Sequence, residues 1–240
     1  MSVNKEPKEA FPYKPPSKEI YLRYDYIFKI NTPLPNRFLK VIFDKTISLL
    51  FLLLFFPVLI ILKIAFILEG VFIPENNGPM FFSYNAVSQG SIFPKYKIRI
   101  IKMSAIDQTA AAKGEWRAFS GEWLKENRTY TGQFVKSFYL DEIPQFYNVL
   151  RGDMSIVGPR PLAIEHFQRD LEQGNVTRKL LKGGLLGLGH IMKGKPDFGN
   201  PIFEYEYLDC YIKNTSFNLL LLDLKIILKG GLLILHGKGH

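Results

Sequence analysis

Apolar positions along this chain gather in two long runs that frame a mixed, more polar middle. From Ile47 to Leu68 the sequence reads ISLLFLLLFFPVLIILKIAFIL, interrupted by one charge, Lys63, and one proline, Pro57. A straight helix of that length would measure about 33 Å at about 1.5 Å per residue, enough to cross a bilayer core. Pro57 at its centre removes a backbone hydrogen bond and clashes with the preceding turn, so a kink is expected there. Two half-helices of about 15 Å each could then enter and leave the same leaflet. Lys63 can snorkel back to the headgroups only if the second half climbs toward the surface it came from. Spanning and re-entrant readings both stay open on these features alone. Arg37, Lys40 and Lys45 precede the run and place its N-terminal side in the cytoplasm by the positive-inside tendency.

The second run, FNLLLLDLKIILKGGLLILHG, extends from Phe217 to Gly237. Lys225 and Lys229 are four apart and share one helical face, so the segment is expected to lie in the membrane interface, with a buried core helix as the alternative. Gly230-Gly231 argues against helix beyond Lys229. Between the runs, NGPMFFSYNAVSQGSIFPKYKIRIIKMSAI predicts a small β-hairpin, with MFF and KIRII as its strands around a glycine-containing turn. The division expected is a tail (1–36), a membrane segment (37–73), a catalytic domain (74–216) and a C-terminal interfacial amphipathic helix and tail (217–240). The fold class is α+β, mainly helical.

Composition narrows the function. The 240 residues carry a formal charge of +9, which calls for an anionic partner: nucleic acid, a phosphorylated small molecule or an anionic membrane surface. No nucleic-acid partner is expected, because the basic residues do not gather into one arm and the apolar runs would go unexplained. A single cysteine, Cys210, excludes an internal disulfide framework and a multi-cysteine zinc site. The Lys-, Pro- and Tyr-rich start does not read as a secretory leader; a partly ordered cytoplasmic tail is expected, remote from the chemistry. His166, His190, His236 and His240 show no metal-ligand spacing. Trp116 and Trp123 could be interfacial anchors or ordinary packing. GGLLGLG lacks the Gly-Lys-Ser/Thr ending of a phosphate loop.

The candidate chemistry sits in FYLDEIPQFYNVLRGDMSIVGPRPL, from Phe138 to Leu162. Two adjacent carboxylates, Asp141 and Glu142, stand just before Pro144 on a basic chain. A plain reading is a helix start, with Asp141 accepting a backbone N–H and Glu142 complementing the dipole. The other reading uses the same helix N-terminus to attract phosphate, with Asp141 facing a phosphorus centre and Glu142 free to hold a divalent cation.

The run LDEIPQFYNVLRGDMSIVGPRPL resembles the signature of the bacterial sugar transferase family, the small monotopic phosphoglycosyl transferases. It carries Asp141, Glu142, Pro144, Gln145, Asn148, Gly152, Asp153, Met154, Ser155, Gly158, Pro159, Arg160 and Pro161. KVIFD at Lys40–Asp44, GPMFF at Gly78–Phe82, IRIIK at Ile98–Lys102 and LDCYIKNTSFNLLLLDLKIIL agree in order and spacing. The resemblance implies a membrane segment that is a re-entrant helix-break-helix kinked at Pro57. It implies transfer of a sugar 1-phosphate from a UDP-sugar to polyprenyl (undecaprenyl) phosphate, with release of UMP. Asp141 would be the nucleophile of a phosphosugar-enzyme intermediate, with Mg²⁺ nearby. The location implied is the cytoplasmic face of the bacterial inner membrane, at the first membrane step of surface polysaccharide assembly, with downstream glycosyltransferases as partners.

The chemistry is consistent with that resemblance. A pyrophosphate needs its charge neutralised before attack, and Mg²⁺ prefers carboxylate and phosphate oxygens. Carboxylate attack gives an acyl phosphate that a second phosphate can displace. Glu142 is the expected metal ligand, and Lys102, Lys136, Arg160 and Gln145 are the expected substrate-phosphate contacts. Arg160 lies between two prolines that fix the neighbouring backbone, so its fork can be held rigidly. The chain also departs from the family pattern. The usual Lys-Phe-Arg-Thr/Ser-Met run is read at Lys102-Met103-Ser104-Ala105-Ile106, which keeps the lysine and loses the arginine. Lys136 stands where an arginine is common, and Lys-Pro-Gly-Ile-Thr-Gly becomes Lys182-Gly183-Gly184-Leu185-Leu186-Gly187, with His190-Ile191 at the usual Gln-Val.

Overall fold

The computed structural model describes residues 6–192 and 195–235; His236 and His240 lie outside them. The fold is α+β and mainly helical. Its helices are α1 (Lys18–Arg23), α2 (Asp25–Phe28), α3 (Phe38–Phe72), α4 (Gln108–Ala112), α5 (Tyr130–Ser137), α6 (Gln145–Arg151), α7 (Ile164–Glu172), α8 (Thr177–Leu180), α9 (Ile202–Lys213) and α10 (Ser216–Leu235). The strands are β1 (Phe81–Ser88), β2 (Ser91–Ile98), β3 (Ser155–Val157), β4 (Leu162–Ala163) and β5 (Gly184–Leu186).

The expected hairpin is present, but its strands are displaced toward the turn: β1 takes Phe81 and Phe82 of the MFF run and β2 only Lys97 and Ile98 of KIRII, whose Arg99, Ile100 and Ile101 lie beyond the strand. β1 and β2 pair antiparallel from Phe81↔Ile98 to Ser88↔Ser91, and β4 joins the free edge of β1. The turn residues Gln89 and Gly90 both have positive φ, 52° and 72°, as a two-residue hairpin turn matched to strand twist requires. Gln89 tolerates this because its Nε2 donates to Leu34 O at 2.7 Å and its N–H donates to Leu181 O at 3.1 Å. The period of two along β2 turns Phe93, Lys95 and Lys97 to one buried face. A separate parallel pair, β3 with β5, packs the chain so closely that a Cβ on Gly184 would collide with the Gly158 backbone and one on Gly158 with the Lys182 carbonyl oxygen.

One core runs through most of the chain. Ile20, Tyr24 and Ile27 pack with Met154, Ile156, Leu180, Tyr205, Leu208, Leu219 and Ile226. The N-terminal segment is therefore folded onto the domain, where a partly ordered tail was expected. Its apolar spacing in KEIYLRYDYIF supplies the buried face.

The membrane segment is one helix of 35 residues, and helical structure runs without interruption through Pro57. The expected break is thus absent as a gap in the helix: one lost hydrogen bond does not end a helix whose remaining backbone groups have no water to turn to. Only 11% of its most apolar window is buried, which excludes the core helix of a soluble protein. Leu50, Leu53, Leu54, Phe56, Ile61 and Ile64 face outward, and the protein is a membrane protein. Both ends of α3 nevertheless pack on the same domain. Near its start Asp44 accepts from Ser155 Oγ at 2.6 Å and Ile156 N at 3.2 Å, and Phe51 stacks on Phe146. Near its end Leu62 and Phe66 join Met80, Ile98, Ile100, Ile101 and Val135, while Glu69 accepts from the first N–H groups of α5, Tyr130 N and Thr131 N, at 2.8 Å each.

Two of the three basic residues that precede the apolar run are structural. Lys40 is buried and paired with Asp223 at 2.6 Å, and Arg37 donates to the carbonyls of Tyr211 and Ile212; Lys45 is exposed. α10 continues through Gly230-Gly231 to Leu235, because Gly230 packs against Leu186, where a side chain would crowd. Its Leu219, Asp223 and Ile226 face the core, and Phe217, Leu221, Leu224, Leu228 and Leu232 form an exposed apolar stripe. Interfacial and core roles thus fall on opposite faces of one helix.

Candidate active site

The acidic pair lies in a 3₁₀ turn, Leu140–Glu142, launched by Tyr139 in the left-handed region at φ 56° and followed at once by α6. A non-glycine residue at positive φ is uncommon and is tolerated where the surroundings hold it. Asp141 is 1% exposed, yet neither of its carboxylate oxygens accepts a hydrogen bond among the described residues. The capping explanation therefore fails. A buried carboxylate without acceptor partners is costly unless charge compensates it.

The charge comes from β2 and α5. Lys97 Nζ lies 2.9 Å from Asp141 Oδ2, a contact of charge rather than of hydrogen-bond direction, and Lys136 Nζ lies 3.6 Å from the same oxygen. Lys97 also lies 3.6 Å from Glu122 Oε2, carried by the 3₁₀ helix Trp116–Trp123. Burial alone would lower the Lys97 pKa, but Asp141, Glu122 and Glu142 outweigh it and hold the ammonium well above the usual lysine range. Arg160 NH2 lies 3.5 Å from Glu142 Oε1. Burial pushes the Glu142 carboxyl up; Arg160, Lys97, Lys95 and Lys136 overcome that and keep it well below the usual carboxylate range.

Lys95 is 2% exposed and its ammonium has no ion pair or hydrogen bond among the described residues; burial, then Arg160, lowers its pKa to about 7. Among the described residues Gln145 Nε2 and His190 Nε2 are buried without a hydrogen-bond partner, and burial together with Arg160 lowers the His190 pKa to about 3. Around the pair, four cations (Lys95, Lys97, Lys136, Arg160) face three carboxylates (Asp141, Glu142, Glu122). Such a cluster, with orphaned polar atoms and a net positive charge, suits an anionic ligand.

Of the residues expected from sequence, the structure brings Asp141, Glu142, Lys136 and Arg160 together and buries Gln145 in the next turn. Lys102 is elsewhere, paired with Glu75 at 3.2 Å. The family's Lys-x-Arg spacing is met five residues earlier, at Lys97-Ile98-Arg99, where Lys97 faces Asp141 and Arg99 donates to the carbonyls of Pro79, Ile101 and Asn76. Alternation along β2 was the signal for Lys97 and Lys95. Glu122 had none. His190 had none either, because the absence of metal-ligand spacing says nothing of a ring nitrogen buried beside the site.

The GPRP loop is fixed from behind. Gly158 N donates to Leu186 O and Gly184 N to Pro159 O, at 2.8 Å each, and Arg178 Nε donates to Arg160 O at 2.9 Å. Among the described residues no group of three or more His, Cys, Asp or Glu could enclose a metal. The donor set of the adjacent pair, Glu142 held by Arg160 and Asp141 with two oxygens that accept no hydrogen bond among the described residues, fits the other mode, in which Mg²⁺ is held by one or two carboxylates plus substrate phosphates.

Fold and site define a class: a membrane-seated α+β protein with an acidic pair set among buried and half-buried cationic side chains. The profile of the family described as bacterial sugar transferase matches residues 35–237, and the chain belongs to that family. It is 29% identical over 213 residues to the undecaprenyl-phosphate galactose phosphotransferase of Salmonella typhimurium, covering 85% of this chain and 42% of that one. It is 33% identical over 202 residues to the UDP-glucose:undecaprenyl-phosphate glucose-1-phosphate transferase of Klebsiella pneumoniae, covering 80% and 39%. To the uncharacterized sugar transferase EpsL of Bacillus subtilis it is 31% identical over 192 residues, covering 79% and 83%. The chain thus spans about two fifths of the first two relatives.

Proposed function

We propose that this protein transfers a sugar 1-phosphate from a UDP-sugar to polyprenyl phosphate, releasing UMP, by double displacement at Asp141. The observation that carries the reading is the buried Asp141 carboxylate, free of hydrogen bonds and flanked by Lys97 and Lys136. An Asp141 oxygen attacks the sugar-bearing phosphorus of the UDP-sugar; the bond from that phosphorus to the bridging oxygen breaks, and UMP leaves with the electron pair. A phosphate oxygen of the lipid then attacks the acyl phosphate, the Asp141 carboxylate departs, and a polyprenyl diphosphate sugar results. Lys97 and Lys136 neutralise the oxygens around the phosphorus, and Arg160 clamps the diphosphate with its planar fork. Glu142, with the substrate phosphates, would hold Mg²⁺, whose chemistry there is to neutralise phosphate charge.

We further propose that α3 is re-entrant, with the site at the cytoplasmic face of the bacterial inner membrane. A straight helix of 35 residues would measure about 52 Å, far more than a bilayer core of about 30 Å. Contacts of both its ends with one domain support entry and exit on one side. The product would supply downstream glycosyltransferases that extend lipid-linked glycans.

The test is release of UMP from a panel of UDP-sugars with undecaprenyl phosphate and Mg²⁺, UDP-galactose and UDP-glucose first. UMP release by the parent and none by Asp141→Asn supports the reading. No turnover with any donor, or full turnover by Asp141→Asn, overturns it.

A further inference from the structure

The family match begins at residue 35, yet the chain before it is anchored against the back of the catalytic loop. Lys14 N donates to Gly199 O, and Asn175 Nδ2 donates to Lys14 O, at 3.0 Å each. Phe11 lies under the Arg169 guanidinium at 4.8 Å, and Glu6 pairs with Arg169 and His166. Between these anchors the Tyr13 ring lies under the Arg178 guanidinium at 4.0 Å. Farther along, Tyr24 and Phe28 stack on Tyr205, so the segment is tied down at both ends.

Arg178 is the link to the chemistry. Its side chain is 2% exposed and paired with Asp170 at 2.7 Å and with Glu204. Two carboxylates fix its edge, Tyr13 covers its face, and its Nε holds the Arg160 carbonyl at 2.9 Å. Arg160 has prolines on both sides, so a fixed carbonyl leaves its backbone little freedom, and its guanidinium reaches Glu142 from that fixed base. Burial raises the Tyr13 phenol pKa, and Arg178 and Arg160 are the two cations that oppose it.

We propose that the N-terminal extension is a working part of the active site: Tyr13 braces Arg178, Arg178 holds the Arg160 carbonyl, and the Arg160 fork is thereby positioned against the substrate diphosphate. Tyr13 and Arg178 are positioning residues. The inference rests on the phosphoryl-transfer reading above and adds a dependence on a segment outside the family match.

The experiment compares kcat and KM for UDP-sugar in the full-length protein with Tyr13→Leu, Tyr13→Phe, Arg160→Lys and the double variant Tyr13→Leu/Arg160→Lys. Tyr13→Leu should lower kcat by about tenfold or more with KM little changed, since a small misplacement of a catalytic group is felt mainly in the transition state. Tyr13→Phe, which keeps the ring, should restore kcat. In the Arg160→Lys background the Tyr13→Leu loss should vanish, because the two changes remove one interaction. Lys8→Ala, exposed on the same strap and outside these anchoring contacts, should leave kcat unchanged. Should Tyr13→Leu not fold, Arg178→Lys, which loses the Nε contact with Arg160, gives the same comparison by a second route. Parental kcat in Tyr13→Leu, or losses that multiply in the double variant, would overturn the inference. Parental kcat in Arg160→Lys would instead remove Arg160 from the proposed mechanism.

Discussion

Replacing Lys97 with methionine separates the charge argument from the packing argument. Methionine fills the space of the aliphatic stem, so little cavity remains, but Asp141 and Glu122 lose the cation they share. The Lys97 side chain is 7% exposed and that of Asp141 1%. Removing one partner of a buried ion pair costs about 3–5 kcal/mol. Lys136 remains at 3.6 Å from Asp141, but its side chain is 26% exposed, so its own replacement by methionine should cost about 1 kcal/mol or less. At about 2–4 °C per kcal/mol for a chain of this size, Lys97→Met should melt about 6–20 °C lower and Lys136→Met only a few degrees lower. Because the folded-state Lys97 pKa is raised above 10.5, its contribution is fully present below that value and fades only as pH climbs through the folded one. The deficit should therefore stay flat from about pH 6 to about pH 9. Thermal unfolding of the detergent-solubilised variants is the assay. Equal, small losses in both would refute the claim that Lys97 carries the buried charge balance.

Lys95 works in the opposite sense. Its folded pKa, lowered to about 7, means that the unfolded chain binds more protons between there and 10.5, so stability should rise with pH across that window. Lys95→Met should melt higher than the parent at neutral and acidic pH, the gap closing as pH rises; a constant gap would contradict the burial penalty. Glu142→Gln should abolish most turnover while costing about 1 kcal/mol or less of stability, because its carboxylate is partly exposed; intact turnover would remove Glu142 from the site. Single cysteines at Ser2 and Ser137, in a background lacking Cys210, should label from the same side of the membrane, and labelling from opposite sides would exclude a re-entrant α3.

The sequence made the apolar elements legible because their patterns are long and local: both apolar runs are helical and a hairpin lies between them, although β2 ends at Ile98, inside the KIRII run expected to form its second strand. Less was visible where tertiary packing decides. Lys40 reads as a membrane-flanking cation, but Asp223, 183 residues away, claims it. Gly230-Gly231 reads as a helix end, yet close packing on Leu186 keeps the helix going. The acidic pair and Arg160 were legible from their motif, whereas Lys102 was misplaced because a five-residue shift of register leaves a plausible lysine in either position. Only the pairing of β1 with β2 brings Lys97 to Asp141. The contacts of Glu6, Phe11 and Tyr13 with Arg169 and Arg178 were invisible, since a Pro- and Lys-rich segment carries no local sign of the guanidinium groups it covers.

The central claim, that Asp141 becomes covalently phosphorylated by the sugar phosphate, is tested most directly by intact-protein mass spectrometry after incubation with UDP-sugar and Mg²⁺ and without lipid acceptor. The account predicts a burst of up to one UMP per active site and a mass increase equal to the phosphosugar. The adduct should map to Asp141, be lost on adding undecaprenyl phosphate or hydroxylamine, and be absent from Asp141→Asn. An unmodified protein that still turns over once lipid is added, or an adduct on another residue, would contradict it.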